Sequence, residues 1–398
     1  MKIAIVGGGP SGLYLAILVK RRRPEYEVTV VEQNSADSTF GFGVVLADSG
    51  LSRIQEADER VYTRLVGRMT FNGCQTIKVK EEPIDLNHPA KGGAIARIDL
   101  LHVLQEEAQA LGICVRFGVR IEHPGELQSL GQGDADIVVG ADGVNSVVRT
   151  AYAREFGTSR STLTNHFAWF GTPRVFEKSA LVFREHEGGA FVAHYYPYSP
   201  GASTFVAECD HATWQAFGME SMTNEERRSL FERIFAPELE GQPLVSNNSN
   251  WRQFPVIQNE SWTFGRHVLI GDAQTSAHFS IGSGTRIAME DSIALAEALT
   301  SAELEGRTPL QRLGAFVQAR GPEKAKLLGA SRRSYLWYER FGEWMRRYTP
   351  LEFVHAFMTR TGRMDEDRLA AQYPELFDQF VRGGLLPASA VPAAGGAA

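Results

Sequence analysis

Gly7-Gly8-Gly9-Pro10-Ser11-Gly12 follows the apolar run Lys2 to Val6 and precedes helix-spaced apolar residues at Leu13, Ala16, Ile17 and Val19. The run reads as a buried parallel strand, the glycines as a turn, and Pro10 to Arg22 as a helix. Glu27 to Glu32 reads as a second strand, so the N-terminus is a βαβ unit. The hexapeptide fits G-x-G-x-x-G through Gly7, Gly9 and Gly12, and its place between strand and helix makes the pattern informative. Gly7 permits the tight turn, Gly9 lets a pyrophosphate approach the backbone, and Gly12 lets the helix lie close to the strand. Pro10 and Ser11 open a helix whose free N–H groups and partial positive charge favour phosphates. Glu32, ~20 residues further on and followed by Gln33, is placed to accept hydrogen bonds from a ribose. This stretch alone does not say which dinucleotide is bound.

Two later strand ends narrow the reading. Gly140-Ala141-Asp142-Gly143 closes a buried strand from Asp136, with Asn145, Ser146 and Arg149 opening a helix beyond it. Gly271-Asp272-Ala273 closes a third buried strand, His267 to Ile270, and Asp272 can hydrogen-bond a second ribose or a ribityl chain. The loop Phe279-Ser280-Ile281-Gly282-Ser283-Gly284, then Thr285, leads into a helix from about Arg286 to Leu299. Three glycine-bearing strand ends in one α/β domain point to one extended dinucleotide.

Length and composition set the frame. The 398 residues suit two interleaved domains, and 43% hydrophobic with 22% charged residues excludes wholesale disorder. A net charge of -6 offers no basic field for a nucleic acid. Cys74, Cys114 and Cys209 lie far apart with no metal spacing, so no metal is expected and the thiols read as buried and reduced. The apolar start is broken by glycine and proline and runs into Lys20-Arg21-Arg22-Arg23, unlike a signal peptide. No run reaches the ~20 apolar residues of a membrane span. A cytoplasmic protein without a membrane or nucleic-acid partner is expected.

The expected fold class is α/β: a Rossmann-like domain of the glutathione-reductase type, an interleaved and mainly antiparallel β domain, and C-terminal helices. The α/β domain takes residues 1–75, 95–165 and 260–305. The β domain takes 76–94 and 166–259, where aromatic and β-branched residues alternate between turn signals such as Glu187-Gly188-Gly189. Helices fill 306–385, with Trp337, Phe341 and Trp344 as a packing stripe. The Ala/Pro/Gly-rich tail 386–398 reads as disordered.

The order of G-x-G-x-x-G, an Arg-x-x-Leu helix start (Arg97 to Leu100), Gly-Ala-Asp-Gly and Gly-Asp-Ala resembles the class A FAD-dependent aromatic monooxygenases. Their fold is that of p-hydroxybenzoate hydroxylase. The stretches Thr39-Phe40-Gly41-Phe42-Gly43-Val44-Val45 and His278 to Thr285 are similar to the salicylyl-CoA 5-hydroxylases, the oxygenase half of 2-aminobenzoyl-CoA monooxygenase/reductase and an indole-ring hydroxylase of violacein biosynthesis. The chain departs from the wider pattern after Gly271-Asp272-Ala273, where the usual proline is missing and Arg286 stands in place of asparagine.

The resemblance implies FAD held by Gly7, Gly9, Pro10, Ser11, Gly12, Glu32, Gln33, Phe42, Gly43, Arg97, Asp142, Gly143, Gly271, Asp272, Gly282, Gly284 and Thr285. It implies reduction by NADH or NADPH, bound transiently, and capture of O₂ as a flavin C4a-hydroperoxide. Oxygen is then passed to a small aromatic substrate, here expected to be a CoA thioester such as salicylyl-CoA. A homodimer is carried as an expectation. Candidate bases are His278 and His194, since an imidazole near a phenol suits deprotonation at neutral pH. An indole- or tryptophan-derived substrate, or a flavoprotein reductase without oxygen transfer, are the competing readings.

Overall fold

The computed structural model describes residues 1–39, 41–71, 73–87, 92–247, 250–282 and 284–387. The N-terminal strand, Lys2–Val6, lies at the centre of a six-stranded sheet. Glu27–Val31 and Ile137–Gly140 flank it in parallel, Cys114–Arg116 and His267–Leu269 lie outside these, and Thr263–Phe264 adds an antiparallel edge. Register places Val6 opposite both Val31 and Gly140, and Leu269 opposite Gly140. Three strand ends distant in sequence therefore finish side by side. The ladder carries on into the turns: Gly7 N–H donates to Val31 O, Ala141 N–H to Val6 O and Ile270 N–H to Gly140 O.

Helix Pro10–Arg22 is buried from Ser11 to Val19, more completely than a one-faced surface helix. It packs between Arg97–Ala110 and Gly284–Thr300, so its apolar residues have partners on both sides. Its basic last turn is not the solvated cluster that dipole arguments suggest. Arg21 pairs with Asp58 and Glu107, Arg22 with Glu297, and Arg23 donates to the Thr300 carbonyl.

A second sheet of eight strands is built around Thr158–Thr172, Ala202–Cys209, Gly189–Ser199 and Ser179–His186, antiparallel in that order. The hairpin Cys74–Val79 with Glu82–Asn87 extends it, joined in parallel to Ser179–His186. Arg252–Asn259 pairs with Thr158–Thr172, and a break in register between Thr162 and His166 lets that long strand bend. Gly43–Leu46, Gly93–Ala96 and Thr70–Phe71 form a small third sheet whose strands are interleaved in sequence with those of the two large ones. Residues 48–66 form two short helices, Asp48–Ala57 and Glu59–Val66, with Asp58 capping the second through the N–H groups of Arg60 and Val61.

Beyond residue 308 a 30-residue helix, Pro309–Tyr338, carries Pro322 in its interior and leads into four shorter helices ending at Arg382. They bury the outer strands through Ile77, Phe183, Phe341, Phe353 and Phe377. Trp337 and Trp344 pack at the border of that core, as the stripe suggested. Leu386 belongs to the same core, and the remainder of the proposed tail, 388–398, lies outside the described residues. Cys209 is buried as expected, while Cys114 is exposed. No helix among the described residues is long and apolar enough to cross a membrane.

Glu107 is fully buried on helix Arg97–Ala110, and Arg21, Arg60 and Arg64 converge on it. Burial works to raise its carboxyl, but the hydrogen bonds from Arg64 and Arg60 outweigh it and hold the pKa below the usual range. The arginines are partly exposed, which screens the pairs, so removing the charge is expected to cost about 2 kcal/mol. Glu107→Gln should lower the unfolding free energy by that amount at pH 7. A depressed carboxyl stabilises above its unfolded pKa and loses that effect as pH falls through the folded one. The difference between native and variant should therefore shrink below about pH 4, as read by urea denaturation at stepped pH.

Candidate active site

The three strand ends open onto one cleft of about 560 Å³ lined by Gly7, Gly9, Pro10, Ser11, Glu32, Gln33, Arg97, Asp142, Gly143, Asp272, Gly284 and Thr285. Gly7 adopts φ +107°, and a Cβ there would stand 2.4 Å from Ala141 O, so the turn needs glycine on both counts. A Cβ on Gly12 would meet Gly7 O at 2.0 Å; this residue sets how closely helix and strand approach. At Gly9 a Cβ would meet nothing within 4 Å. Its open side faces the cleft, the place the sequence reserves for a pyrophosphate.

Glu32 sits at the end of its strand with one oxygen accepting from Gly8 N–H at 2.7 Å and the other from Asn34. These contacts aim the carboxylate without using all its lone pairs. Asp142 lines the cleft and also organises its own loop. One oxygen accepts from the N–H groups of Val147 and Val148, which makes it an organiser of the loop. Its other oxygen is buried with no partner among the described residues. Burial pushes this carboxyl above its ordinary pKa.

Arg149 joins two of the loops. Its guanidinium donates to Ala273 O at 2.9 Å and to Val144 O at 2.5 Å, so the Gly-Ala-Asp-Gly and Gly-Asp-Ala turns are fastened together. Gly271, at φ +59°, donates its N–H to Asp291, which also accepts from Arg320 and Lys324. Asp272 opens onto the cleft opposite Arg97. Burial in the surrounding protein raises the Asp272 carboxyl, and Arg97 pulls it down; burial likewise lowers Arg97, and Asp272 opposes that shift. The pair presents a cation and an acceptor to the same ligand. Arg286, which stands in place of the family's asparagine, binds Glu290 and Ser49.

Phe42 and Gly43 dock their loop rather than line this cleft. Phe42 packs against Gly171, where any Cβ would meet its ring at 2.4 Å. Gly43 donates to Thr204 Oγ1 and accepts from the Tyr196 hydroxyl, so the loop is held to the β-sheet. Phe40 and Ser283, within the stretches that carry the family resemblance, lie outside the described residues.

A second cavity of about 500 Å³ lies between the large β-sheet and the C-terminal helices. Val192, His194, Tyr196, Val206 and Glu208 line it from the sheet; Tyr338, Phe357 and Arg360 line it from the helices. Phe279 to Gly282 form another wall, and Gly284 lies on the first cleft, so one loop borders both spaces.

The two histidines exchange importance. His194 faces the second cavity, and burial with Arg360 nearby lowers it to about 4, which leaves it neutral. His278 is 3% exposed and packs among Phe254, Phe279 and Tyr335. Its Nδ1 accepts from Ser280 N–H, so it caps the loop and does not reach the cavity. The reason is local: the short turn after it needs an acceptor, and the imidazole supplies one. Glu208 was missed altogether. It is the one acidic residue of its strand, and nothing in the sequence shows that it is enclosed.

An extended dinucleotide fits the first cleft: a glycine whose open side leaves room for the pyrophosphate, a helix N-terminus, an acidic ribose acceptor, and Arg97 with Asp272 further along. The comparisons agree. Residues 1–331 match a family model described as an FAD binding domain, and the chain belongs to that family. It is 38% identical to a salicyloyl-CoA 5-hydroxylase of a Streptomyces species over 91% of its length and 70% of that protein's. It is 33% identical to 3-hydroxy-4-methyl-anthranilyl-[aryl-carrier protein] 5-monooxygenase of Streptosporangium sibiricum, covering 94% of the chain and 97% of the relative. Protodeoxyviolaceinate monooxygenase of Chromobacterium violaceum is 32% identical, over 90% and 94%. The solved structure of 2-methyl-3-hydroxypyridine-5-carboxylic acid oxygenase has the same fold, with a TM-score of 0.70 at 17% identity, over 91% of this chain and 97% of the other. The chain is an FAD-dependent aromatic monooxygenase.

Gly9 and Gly12 make opposite predictions. Gly9→Val should leave the apoprotein as stable as native but weaken FAD binding at least ~100-fold, because its side chain projects into the cleft. Gly12→Val should lower the apoprotein's melting temperature, since the clash lies between helix and strand. Quenching of FAD fluorescence and thermal unfolding of the apoprotein distinguish the two.

Proposed function

We propose that this monooxygenase hydroxylates an aromatic acyl-CoA, with salicylyl-CoA and its 5-position as the particular substrate and site, and that NADH or NADPH is the reductant. The observation that carries the reading is the second cavity. Its walls combine apolar side chains such as Val192, Val206 and Phe357 with a few polar groups, it shares the loop Phe279 to Gly284 with the FAD cleft, and it reaches the surface at Arg363 and Arg368. A ring enclosed at the inner end with a carrier leaving through the mouth requires that shape. The arginines at the mouth suit the phosphates of CoA. Two of the relatives are named for an aromatic acyl group borne on a larger carrier, CoA in one and a carrier protein in the other.

When bound, FAD supplies the activation of dioxygen and its delivery to the ring. The protein supplies position and dryness. Gly9, Arg97, Asp272 and Glu32 hold the dinucleotide, and the Phe279 to Gly282 wall places the substrate beside it. Val192, Val206 and Phe357 exclude water, which strengthens each polar contact inside. His194, neutral at pH 7, serves as a hydrogen-bonding partner rather than a charge. His278 acts by holding the loop.

A hydroxylase of an indole-type intermediate is the second reading, favoured by the similarity to protodeoxyviolaceinate monooxygenase. Substrate-dependent NAD(P)H oxidation by the FAD-loaded enzyme, with mass analysis of products, separates the two. Salicylyl-CoA should stimulate oxidation and gain one oxygen, while free salicylate should be at least ~10-fold less effective because the carrier contacts are lost. Equal response to both compounds removes the acyl-CoA reading. Stimulation by indole compounds instead establishes the alternative.

A further inference from the structure

The second cavity contains an acidic side chain that no sequence motif marks. Glu208 lies on strand Ala202–Cys209, opposite Val192 on one neighbour and Phe167 on the other. It is 3% exposed and lines the cavity together with His194, Tyr196, Tyr338 and Arg360. Among the described residues its carboxyl takes one hydrogen bond, from Asn165 Nδ2 at 2.9 Å, and it forms no ion pair. Asn165 is itself held, since Nδ2 also donates to Tyr338 O and its backbone N–H donates to Glu339. A buried carboxyl without a charged partner is costly, so its place in a ligand cavity calls for a reason.

We propose that Glu208 binds the phenolic hydroxyl of the aromatic substrate and accepts its proton, making it a catalytic residue of the hydroxylation. In that step the substrate O–H bond breaks, its electron pair stays on the ring oxygen, and a new O–H bond forms on Glu208. The ring gains electron density at the carbon that receives oxygen, and the added oxygen comes from O₂ as the enzyme class provides. Arg360 lines the same cavity and forms no ion pair among the described residues; it favours the phenolate that results. Its guanidinium is fixed by Ser334 Oγ, Phe357 O and Ser280 O.

The groups around Glu208 also set its titration. Burial raises its carboxyl to about 8, Asn165 opposes this, and Glu339 adds to it. From the other walls it faces His194, which is neutral, and Tyr338, whose hydroxyl is pushed up by burial. A base that must be deprotonated to act is more effective as pH rises through its own pKa, and a value near the working pH suits proton transfer.

The proposal rests on the aromatic monooxygenase class, and its test is separable from the acyl-CoA reading. Two probe pairs are used with FAD-loaded native enzyme, Glu208→Leu and Glu208→Gln: salicylyl-CoA against benzoyl-CoA, and salicylate against benzoate. Binding is followed by perturbation of the flavin's visible spectrum, which needs no turnover. Native enzyme should hold the hydroxylated member at least ~10-fold tighter, and Glu208→Leu should reduce that preference to within about 3-fold. Preference between thioester and free acid reports on the CoA reading alone. Glu208→Gln keeps the acceptor for Asn165 but cannot take a proton. It should bind the ring while hydroxylated product per NAD(P)H consumed falls by ~100-fold, with hydrogen peroxide in its place. The rise in native product formation through about pH 8 should be missing in this variant. A hydroxyl preference unchanged in Glu208→Leu, or native product yield and pH profile in Glu208→Gln, overturns the assignment.

Discussion

The Asp291 carboxylate, wholly buried, accepts hydrogen bonds from Gly271 N–H, Arg320 and Lys324. Two cations and one backbone donor satisfy a charge that would otherwise be prohibitive in the interior. The arrangement fixes the Gly-Asp-Ala turn against two long helices. Ala273 O then receives Arg149, which holds the Gly-Ala-Asp-Gly turn in place, and Asp272 is left facing Arg97 across the cleft. Removing one partner of such a buried group costs on the order of 3–5 kcal/mol, a large part of a domain's stability. Two loops with no local connection are thus aligned by a chain of charged contacts behind the cleft.

Sequence made the cofactor half of the enzyme legible because its determinants are local. Gly7, Gly9 and Gly12 act through backbone geometry within six residues, and the strand before them and helix after them announce themselves by periodicity. Their roles separate cleanly in the structure: one glycine for the turn, one for open space, one for close packing. Hairpins between residues 166 and 209 were legible for the same reason. What lay beyond reach depends on contacts between distant segments. The partners of Arg21, Asp58 and Glu107, lie 37 and 86 residues away and are brought beside it only by the fold. His278 reads as a candidate base, and the fold encloses it with Ser280 and four aromatic rings. Glu208 had no signature, because the walls that bury it come from residues 165, 338 and 360 as well as its own strand.

The contrast between the two cavities is electrostatic. The cofactor cleft uses formal charges and backbone dipoles, in keeping with the pyrophosphate it is built for. The substrate cavity shifts its buried groups toward their uncharged forms, His194 downward and Tyr196 and Glu208 upward, with the Arg360 guanidinium as the cation on its inner wall. Such an enclosed space retains an aromatic ring and limits water while still offering hydrogen bonds. The wall from Phe279 to Gly282 keeps the two environments apart across a few residues.

The packing of helix Pro10–Arg22 has a bearing on biosynthesis. Its apolar sides are covered partly by helix Gly284–Thr300, where Ser292 Oγ donates to Ser11 O. That partner is encoded roughly 260 residues later. At ~5–20 residues per second, the ribosome needs on the order of 10–50 s to deliver it. Throughout that interval the nascent chain carries an apolar helix without the partner that covers one of its sides. The nucleotide cleft can take its final form only after residue 300 has left the ribosome.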